Sequence, residues 1–325
     1  MAVLTRLKSA LGGMLWVVRA GGLRERLNRL DELNSRLGHV ERQVETLDAS
    51  SAQAAGGVLQ AVEGVSQAVG SVSLAVQDRD RQAERGRLEQ LRDLRAFENR
   101  VHSQNGDDGI IREIFRRVGT TNRFFVEFGV ESGSECNCAE LVVGQKWQGL
   151  FLEADDNYFR ALADRYREHP GVQCANTIVT STNIESLLEA NAVPTEFDLL
   201  SIDIDGNDYW IWSAIRRWNP RVVVIEYNAS FPPPRRWVMK EDQGHRWNGT
   251  NYYGASLASL AALGRTKGYT LVATDSRGVN AFFVRDDLVT PDRFLDPVVA
   301  YHFSAPRYGS HQGGHPPGSG PFVEV

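Results

Sequence analysis

The strongest constraint on the fold is an alternation of apolar, strand-like runs with helical segments between residues 107 and 286. The apolar runs lie at 123–129, 149–155, 172–179, 198–204, 221–228, 269–275 and 280–286. Helical segments are predicted at 107–118, 134–142, 156–168, 182–191, 207–217 and 255–267. Strands that alternate with helices are typical of a parallel sheet covered by helices on both faces, which is the doubly wound α/β fold.

The connection between the last two predicted strands narrows the choice of fold. Only the four residues SRGV join them. A parallel crossover needs about a dozen residues or more, so this pair is expected to be antiparallel. The sequence therefore predicts a seven-stranded, mostly parallel sheet that ends in an antiparallel hairpin.

The N-terminal part of the chain has a different pattern, in which apolar residues recur every seven positions. One series is Leu23, Leu30, Leu37 and Val44, a second is Leu33, Val40 and Leu47, and the pattern continues through Val58, Val65 and Val72. Such heptads predict an α-helical coiled coil over residues 23–78 and hence a homo-oligomer, without separating a dimer from a trimer. The alternative is a single helix that folds back on the domain.

The remaining boundaries follow from composition. Residues 1–22 form an amphipathic segment that fits either an interfacial membrane helix or a self-association face. Residues 79–100 are predicted to be a charged helical linker, 101–303 the folded domain, and 304–325 a mobile tail rich in Gly and Pro. No segment reaches the roughly 18 apolar residues that a spanning helix needs.

Charge and cysteine content exclude some classes of protein. The net charge is −5, which gives no reason to expect a nucleic-acid binder. The three cysteines, Cys136, Cys138 and Cys174, form neither a metal-binding pattern nor an even set for disulfides. We therefore expect a reducing, cytoplasmic location, with peripheral contact at the inner face of a membrane if the N-terminal segment binds lipid.

The ends of the first two predicted strands suggest a nucleoside-bearing cofactor. Glu127 precedes Gly129, and Gly133 leads toward the next predicted helix, a turn that allows close approach of a ligand. The second strand ends with Glu153 and Asp155, and an acid there can accept hydrogen bonds from ribose hydroxyls. The turn lacks G-x-G-x-x-G, which disfavours a dinucleotide-dependent dehydrogenase.

Four stretches together resemble the FkbM-like members of the class I S-adenosylmethionine-dependent methyltransferases: SQNGDDGII, FFVEFGVESG, WQGLFLEAD and LLSIDIDGNDYWIW. The resemblance covers roughly residues 101–290 and departs from the family where IDIDGND replaces an ending of the KIDVEG kind. It implies S-adenosylmethionine as the cofactor. The cofactor residues that it implies are Gln104, Asp108, Glu127, Gly129, Gly133, Glu153, Ala154, Asp155, Asn176, Thr177 and Asp203.

Within that set, each group of residues has an expected contact. Glu127 and Gly129 would hold the methionine end, and Glu153 would bind the ribose. Asn176 and Thr177 would lie beside the adenine, while Gln104 and Asp108 would close over the methionine moiety.

The fourth and fifth strand ends carry acids that suit a metal ion. Asp203 ends the fourth strand, and Glu226 and Asn228 end the fifth, an arrangement similar to the metal site of catechol O-methyltransferase-type enzymes. That similarity implies Mg²⁺ or another divalent cation held by these three residues. Asp205 or Asp208 would complete the shell or act as a base. In the alternative, the acids bind the hydroxyls of the acceptor directly, without metal.

A long connection at residues 229–254 lies at the same predicted edge of the sheet. Its aromatic residues Trp237, Trp247, Tyr252 and Tyr253 are candidates for stacking on sugar rings, and His245 is a candidate base. Together with these aromatic residues, the resemblance to FkbM-like methyltransferases implies O-methylation of a carbohydrate or glycoconjugate hydroxyl, with an envelope polysaccharide as one such acceptor. The alternative classes are a coiled-coil scaffold with an inactive domain and a nucleotide-binding dehydrogenase.

Overall fold

The structure is a computed structural model, and it describes residues 35, 60, 63–67, 69–79, 92–308 and 313–325. The chain divides into two units, Met1–Arg87 and Leu88–Val325. All described residues of the first unit are helical. The amphipathic segment 1–22 and most of the predicted coiled coil lie outside the described residues, so the oligomer stays a prediction. In the part of the chain that is described, no helix combines the length and apolar character needed to cross a bilayer.

The second unit is built on a seven-stranded sheet and a small two-stranded one. The strands are β1 Phe124–Phe128, β2 Gln148–Glu153, β3 Val172–Asn176, β4 Leu199–Ile202, β5 Val222–Glu226, β6 Val238–Met239, β7 Tyr269–Thr274, β8 Asn280–Arg285 and β9 Phe322–Val323. The large sheet has the order β3-β2-β1-β4-β5-β8-β7, and β8 runs antiparallel to both of its neighbours. The predicted parallel sheet with an antiparallel terminal hairpin is confirmed.

The helices of this unit alternate with the strands as predicted. They are α1 Asp107–Val118, α2 Ala139–Val143, α3 Asp156–Tyr166, α4 Ile184–Ala190, α5 Asp208–Ala214, α6 Leu257–Thr266 and α7 Val299–His302. Short 3₁₀ helices occur at Leu94–Phe97 and Asp286–Leu288. The helix predicted at 134–142 is mostly a loop, because residues before α2 wrap around the buried carboxyl group of Glu127.

Two apolar layers, one on each face of the large sheet, form the core. Phe282 packs into one layer with Ile110 and Phe151, whereas its neighbour Phe283 packs into the other with Trp212. Successive residues of a strand point to opposite faces, so these two phenylalanines serve both layers. Because helices cover both faces, the central strands β4 and β5 are apolar runs rather than alternating ones.

Both ends of the predicted domain differ from the sequence-based boundaries. Leu94, placed in the predicted linker, is fully buried in the core. The described parts of the predicted mobile tail lie on the domain: Tyr227 donates its hydroxyl proton to the carbonyl oxygen of Ser304 over 2.8 Å, and β9 pairs with β6. The backbone of this Gly- and Pro-rich segment is therefore hydrogen-bonded to the domain, which composition alone does not reveal.

Candidate active site

A cavity of about 740 Å³ opens at the carboxyl ends of β1 to β5. The order of the parallel strands reverses between β1 and β4, and ligands of open α/β sheets bind at such a point. The volume falls within the range of roughly 300–1,000 Å³ that is usual for small-molecule sites. Eight of the predicted cofactor residues line the cavity: Gln104, Glu127, Gly129, Glu153, Ala154, Asp155, Thr177 and Asp203.

Glu127 holds the turn that follows β1. Its side chain is buried, and its two carboxylate oxygens accept hydrogen bonds from the backbone N–H groups of Asn137 and Cys138, each over 2.9 Å. Oε1 also accepts from the hydroxyl of Ser201 over 3.1 Å. Burial raises the pKa of Glu127, and these donors oppose that shift. The turn is thus fixed by its own carboxylate, while the predicted contact of Glu127 with the methionine end stays a prediction.

Gly133 does not line the cavity and faces α3 instead. A Cβ atom there would lie 2.6 Å from Cδ1 of Leu162 and 2.7 Å from Cε2 of Tyr166. The hydroxyl of Tyr166 donates to the carbonyl oxygen of Gly133 over 2.8 Å. The glycine thus allows the turn to pack closely on α3, and the predicted contact of Gly133 with the cofactor stays a prediction.

Glu153 lies at the centre of the cavity wall at the end of β2. Its Oε1 accepts from the N–H of Asp155 over 2.8 Å, and its Oε2 accepts from the N–H of Glu131 over 2.7 Å. Asp155 in turn caps α3, since its Oδ1 accepts from the N–H groups of Asn157 and Tyr158. The carboxylate of Glu153 is therefore held in one orientation by the backbone on both sides of it.

Among the residues after β3 that line the cavity are Thr177, which the sequence predicted, and Ile178, which it did not. Thr177 lines the cavity, whereas Asn176 turns outward and donates its amide N–H to Oδ1 of Asp156 over 2.6 Å. The structure therefore gives no support to the predicted contact of Asn176 with adenine, which stays a prediction. Ile178 and Tyr158 also line the cavity, and their side chains are 49% and 45% exposed. The sequence signal for both is position: Ile178 directly follows Thr177, and Tyr158 comes three residues after Asp155.

Asp107 occupies the place in the cavity lining that the sequence predicted for Asp108. Oδ2 of Asp108 accepts from the N–H groups of residues 101–103 over 2.7–2.9 Å and from the hydroxyl of Ser103, so this side chain holds the preceding loop. Asp107, not Asp108, lines the cavity, and its Oδ1 is buried without a hydrogen-bond partner. Oδ1 of Asn280 at the start of β8 is a second unpartnered, buried oxygen in the cavity lining.

Asp203, Asp205 and Glu226 form an acidic cluster in which one carboxylate oxygen from each residue lies within 4.8 Å of the others. Oε2 of Glu226 is buried without a partner. Burial raises the pKa of Asp203 and of Glu226 well above the ordinary carboxyl range, and repulsion between the neighbouring acids adds to the shift. Carboxylates brought this close are stabilised either by protons or by a bound cation.

Asn228, a predicted metal ligand, is not part of this cluster. Its side chain is buried, and its amide nitrogen donates to the carbonyl oxygens of Asn251 and Tyr253, each over 2.8 Å. Its Oδ1 accepts from the N–H of Ser230 over 3.1 Å. The prediction is corrected: Asn228 anchors the long connection after β5, and Asp205 supplies the third oxygen of the cluster.

Asp208 is likewise occupied by its own backbone. Oδ1 accepts from the N–H of Ile204 over 2.9 Å, and Oδ2 accepts from the N–H of Gly206 over 3.0 Å. Burial raises its pKa to about 6 in spite of these donors. Asp208 does not line the cavity, so its predicted role as a base or metal ligand is corrected to that of a residue that shapes the turn before α5.

The connection after β5 brings residues 243 and 245–247 to the mouth of the cavity. The Nε2 atom of His245 is buried without a partner, and Trp247 is 40% exposed. Trp237 is instead buried against Phe231, with ring centroids 4.2 Å apart. Tyr253 is also buried and shares a 2.8 Å hydrogen bond with the hydroxyl of Tyr308. Of the four aromatic candidates, only Trp247 lines the cavity.

The sheet order, the antiparallel β8 and the cavity at the carboxyl edge define a Rossmann-like methyltransferase fold. Residues 71–247 match the sequence model of the methyltransferase FkbM domain, and the chain belongs to this family. The resemblance seen in the four sequence motifs is confirmed, and the protein is a methyltransferase.

Solved methyltransferase structures resemble the chain at low identity. The N-terminal domain of EvdMO1, crystallised in the presence of SAH and D-fucose, has 13% identity and a TM-score of 0.37, over 63% of this chain and 95% of that one. A SAM-dependent methyltransferase from Aquifex aeolicus has 11% identity and a TM-score of 0.33, over 55% and 89%. Precorrin-6y C5,15-methyltransferase from Geobacter metallireducens has 13% identity and a TM-score of 0.33, over 54% of this chain and 86% of that one. A comparison with curated protein sequences found no match.

Proposed function

We propose that this methyltransferase transfers the methyl group of S-adenosylmethionine to a hydroxyl of a carbohydrate or glycoconjugate, with Mg²⁺ or another divalent cation bound beside the acceptor. The observation that carries the proposal is the cluster of Asp203, Asp205 and Glu226 in the same cavity as Glu153. The residues proposed to bind a hard cation and the residue proposed to bind a ribose thus line one cavity.

The cofactor fits the β1–β3 side of the cavity. Each carboxylate oxygen can accept about two hydrogen bonds, so Glu153 can still accept from ribose hydroxyls after binding two backbone N–H groups. The exposed faces of Tyr158 and Ile178 offer apolar surface for a flat base. The methionine end would then point along Gly129 toward Asp203, which brings the transferable methyl group to the acidic cluster.

The cation fits the chemistry of the cluster. Mg²⁺ and similar ions prefer carboxylate oxygens, and a cation would neutralise charges that otherwise repel one another. When bound, it would lower the pKa of a coordinated hydroxyl and so make that hydroxyl a better nucleophile. His245 has an unpartnered ring nitrogen in the same lining and is the candidate acceptor of the proton. In the alternative without metal, the acids accept hydrogen bonds from the sugar hydroxyls directly.

The choice of a carbohydrate acceptor is supported by the mouth of the cavity. Trp247 presents exposed ring surface there, and Gln243 and Arg246 add polar groups to the same wall. Aromatic surface beside hydrogen-bonding groups suits the apolar faces and hydroxyls of a sugar ring. The oligomer formed by the predicted coiled coil and the predicted membrane contact would place such an enzyme near its glycan acceptor.

Calorimetric titration of S-adenosylhomocysteine tests the cofactor assignment. We expect micromolar binding to the full chain and at least about tenfold weaker binding to Glu153→Ala. Glu168→Ala is the matched control, because the carboxyl group of Glu168 is exposed and is not among the residues that line the cavity. NAD serves as the test of the dehydrogenase alternative and should not bind. A folded wild-type protein that binds no S-adenosylhomocysteine would favour the inactive scaffold instead.

The acceptor class is then tested with simple sugars. Methyl glycosides of glucose, mannose and rhamnose are incubated with labelled S-adenosylmethionine, with Mg²⁺ or with a chelator. Methyl transfer that depends on Mg²⁺ supports the whole proposal. Transfer that persists in the chelator supports the form of the proposal without metal.

A further inference from the structure

The C-terminal segment, defined as residues 313–325, is attached to the connection that follows β5. Its strand β9 pairs with β6, with Val323 opposite Val238 and Phe322 opposite Met239. The N–H of Lys240, directly after β6, donates to the carbonyl oxygen of Pro321 over 3.0 Å. One end of the loop 240–252 is therefore fixed to this segment.

The other end of the same loop is fixed as well. The N–H of Asn251 donates to the carbonyl oxygen of Pro316 over 2.9 Å, and Oδ1 of Asn251 accepts from the N–H of Gly318 over 2.7 Å. The hydroxyl of Tyr252 donates to the carbonyl oxygen of Pro321 over 2.6 Å. Backbone and side-chain hydrogen bonds thus hold the loop at both ends against one short stretch of chain.

Between these two attachments, the loop carries the cavity residues Gln243, His245, Arg246 and Trp247. The ring of His315 lies against Trp247, with centroids 4.6 Å apart and planes at 67°. On its inner side the loop is also held by Asn207, whose side chain exchanges hydrogen bonds with the backbone of Asp242. The wall of the cavity that faces the acidic cluster is therefore a loop held between the turn before α5 and the C-terminal segment.

We propose that the C-terminal segment is an acceptor-specificity element: it positions the loop 240–252 as the acceptor wall, and His315, which is outside the cavity lining, sets the position of Trp247 and thereby the sugar that binds there. The proposal rests on the proposed function. Within the described residues, the segment makes no hydrogen bond to β1, β2 or β3, which carry the cofactor side. The family match ends at residue 247, so the segment lies outside the part of the chain that the family model describes.

A point substitution can loosen the segment without removing it. A Cβ atom on Gly320 would lie 2.2 Å from Cζ of Tyr252, so Gly320→Val must displace either the segment or that ring. His315→Ala removes the contact with Trp247 and leaves the backbone pairing in place. Ser319→Ala is the matched control, because Ser319 is exposed in the same segment. A chain that ends at residue 312 gives the complete loss of the segment.

The test combines three measurements on each variant. Hydrogen exchange is expected to quicken at least about tenfold in residues 240–252 of Gly320→Val and of the shortened chain, as local opening becomes easier. Calorimetric affinity for S-adenosylhomocysteine is expected to stay within about twofold of wild type. For the methyl glycosides, Gly320→Val and the shortened chain are expected to raise KM roughly tenfold and also to lower kcat, because the loosened loop carries His245, the candidate proton acceptor. His315→Ala should alter the order of preference among the glycosides.

Other outcomes separate this inference from the proposed function. Unchanged exchange in residues 240–252 and unchanged glycoside preference would overturn the inference. Loss of S-adenosylhomocysteine binding in Gly320→Val would overturn it too, because the segment would then support the whole domain rather than the acceptor wall. If the full chain binds S-adenosylhomocysteine but methylates no glycoside, both the carbohydrate acceptor and its selection through His315 are wrong. The hydrogen-exchange rates of residues 240–252 then still test whether the segment positions the loop.

Discussion

Gly129 and Asp203, which both line the cavity, touch through their backbones. A Cβ atom on Gly129 would lie 1.5 Å from the carbonyl oxygen of Asp203, and the N–H of Asp203 donates to the carbonyl oxygen of Phe128 over 3.3 Å. The end of β1, where the cofactor is proposed to bind, is thereby joined to the end of β4, where the acidic cluster begins. A change at either residue is expected to disturb both sites.

Gly129→Ala tests this junction, and the chain offers a matched control. Gly129 has φ +78°, and Gly268 has φ +79° with no atom within 4 Å of a Cβ position. Gly268→Ala should therefore lose only the cost of the left-handed backbone, about 1–2 kcal/mol of unfolding free energy. Gly129→Ala adds an atomic overlap and should lose roughly 2 kcal/mol more. Chemical denaturation measures both, and equal losses would contradict the close contact.

The fold was largely predictable because its signals are local and repeated. Apolar runs buried on both faces identify the central strands β4 and β5, and the four-residue connection SRGV requires an antiparallel pair. The course of the C-terminal segment was not predictable. Gly and Pro indicate only the absence of a helix, and the pairing of Phe322 with Met239 depends on contacts across more than eighty residues of sequence.

The location of the site in the fold could be predicted from the sequence, but the side chains that line it could be predicted only in part. Acids at strand ends indicated the cavity, and Asp203, Glu153 and Glu226 do line it. Asn228 and Asp208 do not, because their side chains bind backbone groups instead: Asn228 that of Asn251, which is distant in the sequence, and Asp208 that of the turn directly before it. Whether such a side chain lines the cavity or binds backbone groups depends on the direction in which it points. The residue types and their spacing in the sequence do not determine that direction.

The acidic cluster is expected to bind a divalent cation through Asp205 and Glu226. Asp205→Asn and Glu226→Gln each remove one charged oxygen ligand and should weaken Mn²⁺ binding roughly tenfold or more, since loss of even an outer-shell partner has effects of that size. Calorimetry with Mn²⁺ as the probe measures the affinity. Wild-type affinity in both variants would show that the cluster binds no cation.

Asn228→Ala is the control that separates the two assignments of the metal ligands. The variant leaves the buried carbonyl oxygens of Asn251 and Tyr253 without their donor, so stability should fall by roughly 2 kcal/mol or more. Mn²⁺ affinity of the folded variant should be unchanged, because the side chain points away from the cluster. A large loss of Mn²⁺ affinity with unaltered stability would restore Asn228 as a ligand.

Cation affinity should increase with pH. Burial, with repulsion from neighbouring acids, raises the pKa of Asp203 and of Glu226, so both carboxyls keep their protons to a higher pH than an ordinary acid. Protons and cations compete for the same oxygens, so binding should be weak near about pH 5 and strengthen until both groups ionise. Mn²⁺ titrations across pH measure the trend. Glu226→Gln should release fewer protons per bound ion, and a flat wild-type profile would contradict the assignment.

The same pKa shifts predict how stability without a cation depends on pH. The unfolded chain ionises these carboxyls at their ordinary pKa, while the folded chain still holds the protons. Stability should therefore fall as pH rises from the ordinary carboxyl range through the raised pKa values. Thermal unfolding at several pH values, with and without MgCl₂, tests whether stability falls as pH rises. Mg²⁺ should restore the stability that is lost. A stability that rises through this interval would contradict the shifts.

Asp107 and Asp108 are adjacent, yet only the isosteric substitution of Asp108 should lower stability. Successive helix residues point about 100° apart, which takes Asp108 to the backbone of residues 101–103 and Asp107 to the cavity. Asp108→Asn weakens four charge-assisted hydrogen bonds and should lower the free energy of unfolding by about 3 kcal/mol. Burial and the nearby Asp275 raise the pKa of Asp107, so Asp107→Asn removes an unfavourable charge and should leave stability equal or higher.

For S-adenosylhomocysteine binding, in contrast to stability, the substitution of Asp107 should have the larger effect. An unpartnered, buried carboxylate oxygen fits the ammonium group at the methionine end of the cofactor, so Asp107→Asn should weaken S-adenosylhomocysteine binding about tenfold. Asp108→Asn, measured below its unfolding transition, should retain wild-type affinity. If Asp108→Asn alone lost affinity at full stability, the position indicated by the sequence would be the correct one, and the loop 101–103 would owe its conformation to other contacts.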